Sequence, residues 1–133
     1  MTQVIIYTNE NGNVSVCTPT GELPIEEVLA KDCPAHAEIV DASVLPQGED
    51  DFFNAWRMTP PNGEVVVDLE IARSIQLERF NAAAVQEAQK RQFNSLAGIA
   101  NAVTDEAFIA DLTAKRAAIA AATSTAELRA ITL

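Results

Sequence analysis

The chain is 133 residues long and 48% hydrophobic but only 5% aromatic, with a formal net charge of −10. That length suits one domain, or a compact domain with a helical extension. With 9 basic side chains against 19 acids, it is a poor match for nucleic acid, whose phosphates are met by Lys and Arg.

The charge is unevenly placed. Residues 1–67 carry 11 acids and 2 bases, whereas residues 68–133 carry 8 acids and 7 bases. This asymmetry divides the chain into an acidic front module, 1–67, and a nearly neutral helical region, 68–133.

"QVIIYTNENGNVSVCT" opens the chain as a β-hairpin. Asn11-Gly12 is the favoured pair for a type I′ turn, in which both central residues take positive φ. That turn predicts Tyr7 opposite Val16 and Ile6 opposite Cys17. Ile5, Tyr7, Val14 and Val16 would then share one face, with Val4, Ile6 and Cys17 on the other. Next, Pro24 sits where a helix can begin, and Ile25, Val28 and Leu29 recur at helical spacing before Pro34. One short helix is expected there. "HAEIVDASVLP" reads as a strand through Ile39 and Val40, turning into "QGEDD".

"FFNAWRM" and "EVVVDL" are strand-like runs around "TPPNG", a turn of Pro and Asn-Gly. Asp68 can cap the helix that follows. This long helix spans about Leu69 to Leu96. At about 100° per residue, Ile71, Ile75, Ala82, Val85, Phe93 and Leu96 form one stripe, interrupted by Glu78 and Gln89. Leu69, Leu77, Phe80 and Ala84 lie on nearly the opposite side. A helix apolar on two sides has to bury both, so one side calls for a further surface. Gly98 and Asn101 mark a break. Thr104 or Asp105 can cap a helix over about 105–122 that aligns Phe108, Leu112 and Ile119 with the stem of Lys115. Ser124 and Glu127 have capping-box spacing, so a short helix over about 125–131 carries Leu128 and Ile131. The fold class is therefore α+β: small antiparallel hairpins, then a long helix and a C-terminal helical hairpin.

The chemistry-bearing residues argue against an enzyme. His36 is the single histidine, no Gly-x-Ser-x-Gly is present, and the 5 glycines form no phosphate loop. Cys17 and Cys33, with His36, give three zinc ligands at most and no ligand spacing. Both cysteines read as ordinary thiols in a reducing compartment. Glu49, Asp50 and Asp51 lack the alternating spacing of a calcium loop. No cofactor, metal or catalytic residue is expected. Nor is a membrane span, since no run approaches the roughly 20 apolar residues required. "MTQVIIYTNENG" lacks the basic region and apolar length of a signal peptide.

Trp56, the only tryptophan, reads first as a packing residue where the second hairpin meets the long helix, with Arg57 and Asn54 at its edges. Tryptophan and arginine are also enriched where binding energy concentrates, which makes Trp56 and Arg57 candidate interface residues. Leu69, Leu77, Phe80 and Ala84 join them as a docking patch on the long helix.

"EIVDASVLPQGEDDFFNAWRMTPPNGEVVVDLEIARSIQLERFNAA" resembles a recurrent family of small tailed-bacteriophage proteins. In that family an "IVDAS-LP" strand leads to an acidic turn and an "F-NAWR" strand. A "V-VD" strand and an "ARSI" helix follow. The resemblance covers roughly residues 38–85, about a third of the chain. It implies an accessory protein encoded among virion and tail-fibre genes, with no catalytic residues to carry over. The expectation is a non-enzymatic virion protein in the tail or tail-fibre attachment region. Its partners would be other phage structural proteins, such as the tail fibre or tail hub, in an oligomeric or symmetric assembly. The alternative is a tail-fibre assembly chaperone that is absent from the mature particle.

Overall fold

In the computed structural model, residues 2–59 and 64–133 are described. The expected turn at "TPPNG" falls mostly on 60–63, outside the described residues. The chain divides into two compact units, residues 1–68 and 69–133.

The first unit contains a three-stranded antiparallel sheet in the order β2-β1-β3, with β1 Gln3–Thr8, β2 Val14–Cys17 and β3 Glu38–Asp41. A second, two-stranded sheet pairs β4, Trp56–Thr59, with β5, Glu64–Val67. Helix α1, Ile25–Asp32, packs on β1 and β3. The central strand is buried on both faces, with Val4 at 3% exposure and Ile5 and Ile6 at 0%.

The first hairpin is one residue out of the expected register. Ile6 pairs with Val16, Tyr7 with Ser15 and Thr8 with Val14. Of the two turn residues, only Gly12 has positive φ, at +82°, so the turn is not type I′. The cause is Asn9. Its side-chain Oδ1 accepts from the backbone N of Asn11 and of Asn13, and its carbonyl accepts from Gly12 N at 3.0 Å. This arrangement makes a three-residue loop with glycine in the left-handed position. A one-residue slip exchanges faces. Val14 and Val16 therefore join Val4 and Ile6, not Ile5 and Tyr7.

That exchange builds the core. Val4, Ile6, Val14, Trp56 and Val65 form one buried cluster, flanked by Val16, Val40, Met58 and Val67. The register places Trp56 across from Val67 and Met58 across from Val65, so one face of β4–β5 supplies all four. The opposite face carries Arg57 and the exposed Val66. "FFNA" is not strand as expected. Asp50–Ala55 forms short 3-10 turns kinked at Phe52, with Phe52 and Ala55 buried, and β4 begins at Trp56. Buried groups spaced three apart fit a 3-10 turn and cannot alternate as a strand does.

The second unit is helical: α2 Leu69–Ala97, α3 Asp105–Ala121 and α4 Thr125–Ala130. Gly98, at φ +74°, ends α2, with Ile99 N donating to Asn94 O and Gly98 N to Ser95 O. This is the paired bonding of a Schellman stop. Thr104 caps α3 by accepting from Ala107 N, and Ser124 caps α4 by accepting from Glu127 N. The Glu127 carboxylate reaches one residue beyond the expected box, accepting from Thr123 N and Thr123 Oγ1. Ile119 of α3 and Leu128 of α4 are fully buried.

Candidate interaction surface

Helix α2 has a well-defined inward face. Ala72, Gln76, Phe80, Ala84 and Arg91 are its buried residues, all within one arc of the helix at about 100° per residue. Polar contacts show what this arc meets. Gln76 Nε2 donates to Ile131 O, and the neighbouring Arg73 donates twice to Ala122 O, at 3.0 and 2.7 Å. The returning chain of α3, α4 and their ends therefore lies along this side of α2.

Arg91 anchors the far end of the contact. Its guanidinium donates to Asp105 Oδ1 and to Val103 O, both at 2.6 Å, and lies 4.9 Å from the centre of the Phe108 ring. Only 9% of its side chain is exposed, against 79% of Asp105. The carboxylate is therefore well solvated, and the ion pair is screened. The carbonyl and the ring carry more of the contact. An open cleft beside this anchor is lined by Asn94, Asn101, Val103, Phe108 and Leu133.

The opposite face of α2 is what remains at the surface. Val85, Phe93 and Leu96 are 57%, 64% and 83% exposed. They lie over about 16 Å of helix, given its 1.5 Å rise per residue. The polar residues among them, Gln86, Gln89 and Gln92, are exposed and uncharged. Nearby, Ile99, Val103 and Ile109 are also exposed by half or more. Scattered surface apolar residues are ordinary, but these three are aligned along one side of the helix.

This geometry redistributes the six residues singled out from the sequence. Phe80 and Ala84 are buried, at 3% and 5% exposure, and Leu69 and Leu77 are half-buried on the inward side. The side expected to await a partner is thus largely occupied by the chain itself, and the other stripe, half-buried at Ile71 and Ile75, is exposed from Ala82 to Leu96. The sequence carried the signal in Glu78 and Gln89, whose polarity interrupts that stripe. Trp56 is buried at 3% exposure and joins the two sheets of the first unit. Its Nε1 donates to Glu49 O at 3.2 Å, and its ring centre lies 4.9 Å from that of Phe53. Arg57 donates back to the carbonyls of Asn54 and Trp56. The role of Arg91 was not foreseen, because nothing local to residue 91 shows that Val103 and Phe108 return to it.

Exposed His36 donates from Nε2 to Thr8 O and meets Tyr7 edge to face. Among the described residues, no group of three or more His, Cys, Asp or Glu side chains is placed to hold a metal ion. No helix among them is long and apolar enough to cross a membrane. No protein-family model, curated protein or solved structure matches the chain at a significant level.

Proposed function

We propose that this chain is a non-enzymatic structural subunit of a bacteriophage particle, in the tail or tail-fibre attachment region. It docks on a neighbouring structural protein through the outer face of α2. The observation that carries the docking part is the aligned exposure of Val85, Phe93 and Leu96 with only amides between them. An uncharged apolar strip on so acidic a chain suits burial against another protein, since desolvating it sacrifices no ion. The phage setting rests on the resemblance of residues 38–85.

The test is quantitative mass spectrometry of purified particles, with the chain normalised to the major capsid protein and compared with the infected-cell lysate. A fixed small copy number, a multiple of three or six, is the expected result. Abundance in the lysate with none in particles would overturn the structural reading and make the chain an assembly chaperone.

A further inference from the structure

The outer face of α2 carries a coiled-coil period. Ala82, Val85, Gln89, Gln92 and Leu96 are spaced alternately by three and four residues, as the a and d positions of a heptad are. Gln86, Ala88, Phe93 and Ser95 take the flanking e and g positions. All nine of these residues are exposed, and none is charged. Of the six other residues in 82–96, Lys90 alone is exposed, and the charged side chains of the segment all lie among those six. Ile109 of α3, 60% exposed, lines a shallow cleft with Ala88, Gln92 and Ser95 and widens the apolar border on that side.

A heptad seam is completed by a second helix, and charge indicates which one. In a two-fold pair a charged group on the face would meet its own like. This face has none. Glutamine suits the same symmetry, because its amide both donates and accepts and can satisfy a second glutamine. The charge of the whole chain sets the direction. Residues 1–68 hold 12 of the 19 acids and 2 of the 9 bases, which leaves 7 of each in 69–133. Parallel helices would bring two acidic first units to the same end. Antiparallel helices centred between Lys90 and Arg91 hold the two Leu69 residues about 65 Å apart, many times the screening length of about 8 Å at physiological salt.

We propose that two copies of this chain pair through this face as a short antiparallel coiled coil. This names the partner for the docking face put forward above, and it rests on that docking reading but not on the phage setting. In the a-to-d layers of an antiparallel pair, Val85 packs on the partner's Leu96 and Gln89 bonds the partner's Gln92, each layer repeated by the two-fold axis. Glu78 continues the period towards the N-terminus but falls outside the overlap, because its counterpart lies beyond the end of α2 at Ala97. The overlap is about 20 Å long, so association is weak and concentration-dependent.

The experiment is sedimentation equilibrium of the purified full chain from about 10 μM to about 1 mM, with circular dichroism to confirm folding. The expected result is a monomer–dimer equilibrium within that range. Leu96→Asp should weaken it by about tenfold or more with the helical spectrum unchanged. Gln89→Glu combined with Gln92→Lys reads the direction. An antiparallel pair then sets each glutamate against a lysine and keeps the dimer at wild-type affinity or tighter, whereas a parallel pair sets like against like. A folded wild-type chain that stays monomeric throughout overturns the proposal, as do trimers or a dimer undiminished by Leu96→Asp. Loss of the dimer in the double variant overturns the antiparallel direction. The docking reading fails separately, by undiminished incorporation of Leu96→Asp into particles. A monomeric wild type together with reduced incorporation of Leu96→Asp would keep the docking face and assign it to a different protein.

Discussion

Trp56 shows how one side chain can be committed twice. Its ring fills the space between the two sheets, and its indole N–H satisfies the Glu49 carbonyl at the entry to the 3-10 helix. Trp56→Phe keeps most of the apolar area but removes the donor. Losing a buried hydrogen bond and part of a ring should cost about 1–3 kcal/mol, measured by urea denaturation followed by circular dichroism. Glu127 offers a second residue-scale expectation. Its bonds from Thr123, first to the backbone N and then to the hydroxyl, hold its carboxyl below the usual carboxylate range. A depressed folded-state pKa contributes stability that is present above the unfolded value and is lost as pH falls through the folded one. The cap on α4 should therefore survive mild acid and fail only below the ordinary glutamate range. Carboxyl-resolved NMR titration would show a Glu127 midpoint below those of exposed glutamates. A midpoint at the ordinary value would mean that the Thr123 bonds do not form.

Among elements, α2 gains most of its fixed geometry from chain that returns to it. The Arg91 contacts separate screened from buried contributions. Asp105 is mostly exposed, so Asp105→Asn should cost under about 1 kcal/mol. Arg91→Ala strands the Val103 carbonyl and uncovers the Phe108 ring, and should cost about 2–3 kcal/mol. Thermal melts of the two variants should differ accordingly; equal losses would place the energy in the ion pair instead. The helices themselves were legible in the sequence because their signals are local. Pro24, Thr104, Ser124 and Gly98 each mark an end by their own backbone or hydroxyl chemistry. The hairpin register was not legible. It turned on whether Asn9 or the Asn11-Gly12 pair governs the loop, and both are turn formers. The inward face of α2 was missed for a different reason. Ala72, Gln76 and Arg91 do not look like core residues until Ile131, Ala122 and Val103 are seen to approach them.

For the whole molecule, the acids are concentrated where no docking is proposed. The first unit carries most of the net charge, and the outer strip of α2 between Val85 and Leu96 presents amides and apolar groups. Phe93→Asp and Leu96→Asp place a carboxylate on a side chain already 64% or 83% in water. Each should leave the helical spectrum and melting temperature nearly unchanged, because exposed substitutions typically shift stability by under about 0.5 kcal/mol. Each should also reduce incorporation into particles by tenfold or more, about 1.4 kcal/mol of lost affinity, in the particle-to-lysate ratio. Undiminished incorporation of a folded variant would move the contact off this face.

The three-stranded sheet ends on both sides in strands of 4 residues, and one of them, β3, begins with Glu38 and ends with Asp41. An open strand edge invites another strand to add, and shortness and charge are the usual deterrents. Copies brought together at a symmetric site would face one another with edges that discourage such addition. On the β3 side the acids Glu38 and Asp41 supply that deterrent, whereas on the β2 side, whose four residues are uncharged, shortness alone supplies it.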